Sequence, residues 1–254
     1  MLGPETPFNL KKIDPSRIIG KENNDLDDFF LVLAVIYNDL KDLLHLYSDY
    51  THSHTSPIEV QEPSGYLGEY NGMITHLQKS VAGFLNEFFV FLKEHEDLYK
   101  QPQFMALVRK LDPSVQANWN SIKEAALEPI DKQNPQSLGY RLNRIRNELA
   151  HHYFSAIKSL RSSFRRCFSD KTNQFGKFAY YSLGKTIQES RFFYADAAIQ
   201  THLMEVANRS NNVNIQETIS KFREFQTETG EVIREMNSVL FHLIKRYIER
   251  KHGS

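Results

Sequence analysis

Along most of this chain apolar residues recur at spacings of three and four, interrupted at intervals by proline and glycine, and that periodicity restricts it to packed amphipathic helices. The pattern is clearest over 24–50. Leu26, Phe29, Phe30, Leu33, Val35, Ile36, Leu40, Leu43, Leu44 and Tyr47 make a broad stripe there. Asn24 or Asp25 can cap this helix, and Asp27 and Asp28 fall in its first turn, where the helix dipole favours negative charge. A Pro/Gly-rich crossing over 51–68 leads to a second helix predicted over 69–99, with an aromatic stripe that includes Phe84, Phe88, Phe89 and Phe91. Pro102 ends it. A short helix follows over 103–111, and Asp112-Pro113 starts the next as cap and first helical position; that one carries Trp119 and stops before Pro129. Further helices are predicted over 137–168, 185–208 and 216–250, with a loop over 169–184 that can form a small hairpin or a lid. Residues 1–23, with Pro4, Pro7, Pro15 and Gly20, read as an irregular N-terminal arm. Residues 24–250 read as a single helical domain and 251–254 as a disordered tail or an expression remnant. The expected fold is an all-α, up-and-down multi-helix bundle with long helices.

A chain of this length buries an ample core without disulfide or metal staples. Its 31 basic and 31 acidic residues cancel, which argues against a protein that coats nucleic acid through bulk charge. The distribution is uneven, however. Between 141 and 166 the basic residues Arg141, Arg144, Arg146, Lys158, Arg161, Arg165 and Arg166 are opposed only by Glu148, whereas 22–42 is acidic. A local phosphate-binding surface is one reading of the basic stretch, and a solvated helix face answered by an acidic neighbour is the other. The strongest apolar run, 29–37, falls far below the roughly 20 residues that span a bilayer, so no membrane association is expected. Cys167 is the only cysteine, and no leader pattern is recognisable, so a soluble protein of the reducing cytoplasm is expected.

The densest set of ionisable groups is Arg146-Asn147-Glu148-Leu149-Ala150-His151-His152-Tyr153. An Arg, a polar residue directly after it, three more residues and a His resemble the R-x-x-x-x-H signature of HEPN domains, helical bundles many of which are metal-independent ribonucleases. With His152 and Tyr153 the stretch resembles the longer R-x-x-x-x-H-x-Y form of HEPN toxins paired with a nucleotidyltransferase. The resemblance covers this motif and the all-helical character. It implies a HEPN-type bundle, RNA as substrate, cleavage without metal or cofactor, and a place in defence, toxin–antitoxin or stress response. It also implies a homodimer whose paired motifs meet in a cleft, and an antitoxin or nucleotidyltransferase as partner. Tyr153 matches the tyrosine that is modified with AMP in that group; its other reading is an aromatic of the core stripe.

Cleaving RNA without a metal needs a base for the ribose 2′-hydroxyl, an acid for the leaving oxygen and a cation for the phosphorane. His titrates near neutrality and can be either acid or base. Arg offers a fixed fork of donors that matches phosphate oxygens. The expected catalytic residues are therefore Arg146 as phosphate clamp, His151 as acid/base, and Asn147 holding the phosphate or orienting the His. His152 and Tyr153 are auxiliary, and Arg141, Arg144, Lys158 and Arg161 are the expected phosphate/RNA-binding residues. On an ideal helix Arg146 lies about 60° to one side of Leu149, His152 about 60° to the other, and His151 nearly opposite. Either the helix is deformed at the motif, or a partner completes the site. A non-catalytic module that binds RNA, nucleotide or a protein through the same motif is the competing reading. Glu148-x-x-His151 also has the spacing of a di-iron ligand pair, but its only echo is Glu249-x-x-His252, and His45, His52 and His54 lack completing ligands. No metal is expected.

Overall fold

The protein is described here from a computed structural model, which covers residues 11, 13–19, 24–54, 65–128, 130, 134, 137–150, 157–168, 178–186, 190–208 and 215–252. It is all-α and multi-helical, as the periodicity requires. In chain order the helices are α1 (Pro15–Ile18), α2 (Asp25–Ser53), α3 (Gly65–Glu94), α4 (Glu96–Tyr99), α5 (Pro102–Val108), α6 (Pro113–Leu127) and α7 (Leu138–Ile145). A π-helical turn (Arg146–Ala150) continues α7, and α8 (Ile157–Cys167), α9 (Phe193–Asn208) and α10 (Ile215–His252) follow. Among the described residues the only extended pairing is an isolated antiparallel bridge between Ser182 and Arg191. No helix among them is long and apolar enough to cross a membrane.

Three boundaries differ from the periodicity for local reasons. The second predicted helix breaks at His95, whose backbone leaves helical geometry (φ −108°, ψ 26°) while its Nδ1 bonds the Phe91 carbonyl at 2.8 Å. α9 begins at Phe193 rather than near 185, because Arg191 is held extended by paired backbone bonds to Ser182 of 2.7 and 3.0 Å. The arm is not wholly irregular: Asp14 caps one helical turn, its carboxylate accepting from the Ser16 amide at 2.9 Å.

Within the stretch read as one domain, contacts cluster into two compact units. One comprises Met1–Asp49, Glu87–Glu128 and Gly230–Ser254, the other Tyr50–Asn86 and Pro129–Thr229.

The first unit is organised by aromatic rings. Phe29 of α2 stacks on Phe91 of α3 at 5.0 Å, Phe30 stacks on Tyr247 of α10 at 4.2 Å, and Phe104 packs against Trp119 at 5.3 Å. Each such ring, fully buried, contributes about 1.5–3 kcal/mol. One buried charge sits beside this core. Asp27, in the first turn of α2, takes Lys251 Nζ at 2.8 Å on one carboxylate oxygen and the Tyr247 hydroxyl at 2.8 Å on the other. The Tyr247 hydroxyl also lies 2.9 Å from the Ile18 carbonyl, which fastens α1 to α10. Burial, then the Asp27 bond, raises the Tyr247 pKa, so the phenol stays a donor at all ordinary pH values.

Tyr247→Phe keeps the ring on Phe30 but removes a donor from a buried carboxylate. It is expected to cost about 1–2 kcal/mol in urea unfolding of the whole chain. An unchanged midpoint would mean that water replaces the hydroxyl without loss.

Candidate functional site

The second unit carries the motif. Ser137 caps α7, its Oγ accepting from the Tyr140 amide at 3.2 Å, and Leu138, Leu142, Ile145 and Leu149 are buried along one side. At Arg146 the winding loosens into the π turn, whose hydrogen bonds run from residue i to i+5. Such turns are rare and appear mostly as single-turn bulges inside α-helices, frequently at functional sites.

The middle residue of the turn is Glu148. Arg144, one turn earlier, grips it with two nitrogens at 2.9 and 3.3 Å, and His202 Nε2 on α9 approaches its other face at 2.6 Å. The opposite ring nitrogen, His202 Nδ1, lies 3.2 Å from Ser163 Oγ on α8. Ser163 Oγ lies 2.8 Å from Glu205 Oε2, and Glu205 is gripped from its other side by the Arg166 guanidinium. Spacing explains why the chain can do this: His202 and Glu205 are i,i+3 on α9, and Ser163 and Arg166 are i,i+3 on α8. The imidazole is 3% exposed and Ser163 is 0% exposed. With the ring doubly protonated every donor finds an acceptor: Nε2–H donates to Glu148, Nδ1–H donates to Ser163, and the serine hydroxyl donates to Glu205.

The electrostatics agree with that proton count. Hydrogen bonding from His202, followed by the Arg144 pair, holds the Glu148 carboxyl down at about 2 despite its burial. For Glu205 burial pushes upward, but bonds from His202, Arg166 and Ser163 outweigh it and bring the value to about 2. His202 is pushed down by burial and up, by more, through Glu148 and Glu205. A Ser, a His and a Glu in line also have the composition of a nucleophilic triad. Ser163 does not act as one, because it is buried and gives its proton to Glu205 rather than to the imidazole.

Arg146 and Asn147 share the π turn. Arg146 Nη1 donates to Asn147 Oδ1 at 3.0 Å, and the Asn147 amide donates to Asn143 Oδ1 at 3.1 Å, so the asparagine fixes the arginine. Both side chains are half-buried. His151, His152 and Tyr153 lie outside the described residues.

The expected phosphate-binding set divides. Lys158 and Arg161 are exposed on α8, with Arg165 beside them at the same helical spacing. Arg141 is not on that surface. It is 2% exposed, paired with Glu228, bonded through Nε to the Ser137 carbonyl at 3.4 Å, and set 5.0 Å over the Phe225 ring. Its charge is spent inside the unit because α7 turns it toward α10. Arg144 is committed to Glu148. On α8 Ser163 faces inward and Phe164 is exposed, since the buried polar network needs the hydroxyl.

Sequence reasoning missed His202, Glu205 and Ser163. The readable signal was His202-x-x-Glu205, a titratable pair on one face of a helix otherwise apolar at that level. Among the described residues no cluster of His, Cys, Asp or Glu is arranged to hold a metal ion, and the Glu148 carboxylate is taken by Arg144 and His202. Compared with known proteins, the chain matches no family model, no curated protein and no solved structure.

The network dictates a pH response. The carboxylates, lowered to about 2 from 4.5, contribute stability that is present above pH 4.5 and lost as pH falls toward 2. His202, raised from 6.5, contributes stability that is full below pH 6.5 and is lost as pH rises through its folded value. The part of the unfolding free energy that comes from this cluster should therefore peak between the two limits. His202→Gln should remove the alkaline part of the decline and cost about 3 kcal/mol near pH 6, by leaving Glu148 and Glu205 without their shared partner. Urea midpoints across pH for both proteins check this, and parallel profiles would mean that the ring is neutral in the fold.

Proposed function

We propose that this chain is a HEPN-like, metal-independent endoribonuclease, with Arg146 as the phosphate clamp, His151 as acid/base and Asn147 as the residue that positions Arg146. The observation that carries the reading is the π turn. In α winding, residues five apart lie about 140° apart around the axis, which sets a motif of R-x-x-x-x-H on opposite sides. The π winding is described through Ala150, and the same winding of i to i+5 carried one residue further would bring positions five apart to one side, which is the geometry that the pairing needs. The arginine is also oriented before any substrate arrives, by the 3.0 Å bond to Asn147, and preorganised charge of this kind is often the largest catalytic contribution.

In this reading a histidine takes the proton of the ribose 2′-hydroxyl as that oxygen attacks phosphorus. Arg146 holds the phosphorane, the bond to the 5′-oxygen breaks, and an acid protonates the leaving oxygen. The products are a 2′,3′-cyclic phosphate and a free 5′-hydroxyl. A homodimer with two motifs in one cleft supplies both the acid and the base. The exposed Lys158, Arg161 and Arg165 stripe draws the RNA backbone toward the motif. A role in defence, toxin–antitoxin pairing or stress response, with an antitoxin or nucleotidyltransferase partner, belongs to the same proposal and rests on the motif alone.

One observation favours the second reading, a non-catalytic module that binds RNA, nucleotide or a protein. Arg141 and Arg144, two of the four cations expected at the phosphate, are engaged by Glu228 and Glu148. A single experiment separates the two. Purified protein incubated with RNA in EDTA should cleave it, and Arg146→Ala and His151→Ala should each slow cleavage by about 100-fold or more. Cleavage that survives both changes rejects the assignment, and salt-sensitive binding with no cleavage at all selects the binding module.

A further inference from the structure

At the C-terminal end of α8 the second unit opens a cavity of about 670 Å³, within the size range of pockets that hold small organic ligands. Its walls are aromatic. Phe168, Phe193 and Tyr194 line it together with Phe178, Tyr180 and Tyr181, and the last three are 56%, 38% and 62% exposed. Three large aromatic side chains left in water within four residues, at the mouth of one cavity, are an exposed apolar patch of the kind that marks a binding surface. The backbone there is fixed by the Ser182–Arg191 bridge and by the Tyr194 amide bonding the Tyr180 carbonyl at 3.1 Å.

Two neutral amide side chains face the cavity. Asn71 of α3 and Gln200 of α9 line it, and their side-chain amides make no hydrogen bond to any described residue. An amide offers one acceptor and a pair of donors on one flat group, which complements the edge of a nucleobase. Among the described lining residues the one acidic side chain, Asp196, is neutralised by Arg191 Nε at 2.7 Å. The cavity therefore suits an uncharged flat ring with a hydrogen-bonding rim. It is shaped in part by Gly68, where a Cβ would lie 2.4 Å from the Phe193 ring and push that wall aside.

Charge lies on the path to it. Lys158, Arg161 and Arg165 run at helical spacing along the exposed side of α8, and the same helix ends at Cys167 and Phe168 in the cavity wall. A cationic track that leads to an aromatic pocket is the arrangement by which proteins hold single-stranded nucleic acid, phosphates on the track and bases on the rings.

We propose that the cavity between α3, α8 and α9 binds an unpaired nucleobase of single-stranded RNA, stacked on Tyr180 and Tyr181 and read at its edge by Asn71 and Gln200. The inference rests on the reading of this chain as an RNA-binding protein and supplies its substrate class: RNA with at least one base free of pairing.

The test uses the full chain and a 2′-O-methylated single-stranded oligonucleotide, which lacks the attacking hydroxyl, so binding is read apart from cleavage. An otherwise identical abasic oligonucleotide should bind about tenfold more weakly. Tyr180→Ala combined with Tyr181→Ala should abolish that difference while circular dichroism stays unchanged, and Tyr181→Phe, which keeps the ring, should preserve it. Gln200→Leu should alter the ranking of the four bases. Equal affinity for abasic and intact strands, or a double-alanine variant that still discriminates, overturns the proposal. So does a free mononucleotide that binds as tightly as the oligonucleotide and is indifferent to Arg161→Ala, since the occupant would then not be part of a strand. Cleavage of ordinary RNA without any base-dependent binding sinks the pocket and leaves the nuclease reading standing; base-dependent binding without cleavage does the reverse.

Discussion

The second unit depends on a single buried imidazole. His202 joins the π turn that follows α7 to α8 through its two ring nitrogens, and both flanking carboxylates are capped by arginines from the far side. A charged ring in such a place is costly to desolvate, and only a full set of partners offsets that cost. Here the set is full: two carboxylates, two guanidiniums and one hydroxyl close the chain of donors and acceptors. Buried ionic networks add little net stability over apolar packing, but they tolerate one arrangement of their elements far better than any other. The network thus specifies how α8 and α9 meet the motif-bearing turn.

That specification bears on the motif directly, because Glu148 is one of its own residues. Held by Arg144 on one side and His202 on the other, Glu148 fixes the turn at its middle, while Asn147 fixes Arg146 from within. The arginine fork is thereby oriented by two separate devices, one local in sequence and one from a helix more than fifty residues away. The same accounting divides the basic residues of the region by role. Arg141, Arg144 and Arg166 balance carboxylates, and Lys158, Arg161 and Arg165 face solvent. Local excess of positive charge in a sequence is thus a poor measure of charge available to a ligand. The available part is a stripe on α8, and it ends at an aromatic cavity.

The first unit solves a different problem. Its stacked rings from α2, α3, α5, α6 and α10 supply apolar burial, and the buried carboxylate of Asp27 is answered by Tyr247 and Lys251, more than two hundred residues away in sequence. None of the candidate chemistry lies there. Aromatic stripes at helical spacing read as core in the sequence, and Phe29, Phe88, Phe104 and Trp119 are core.

Local sequence alone determined the all-α class, the long helices, the apolar faces of α2, α3 and α6, and a cap at Asn24 or Asp25, because these follow from nearest neighbours along the chain and a helical repeat. The motif was legible for the same reason: its residues are contiguous. Tertiary structure alone decided that Glu148 belongs to His202, that Arg141 is buried on Phe225, that Ser163 rather than Phe164 faces inward, and that the helix through the motif unwinds into a π turn. Each of these is set by a partner distant in sequence, and a buried polar group takes whatever orientation satisfies its hydrogen bonds, even where that overrides the apolar stripe or the regular winding from which the sequence was read.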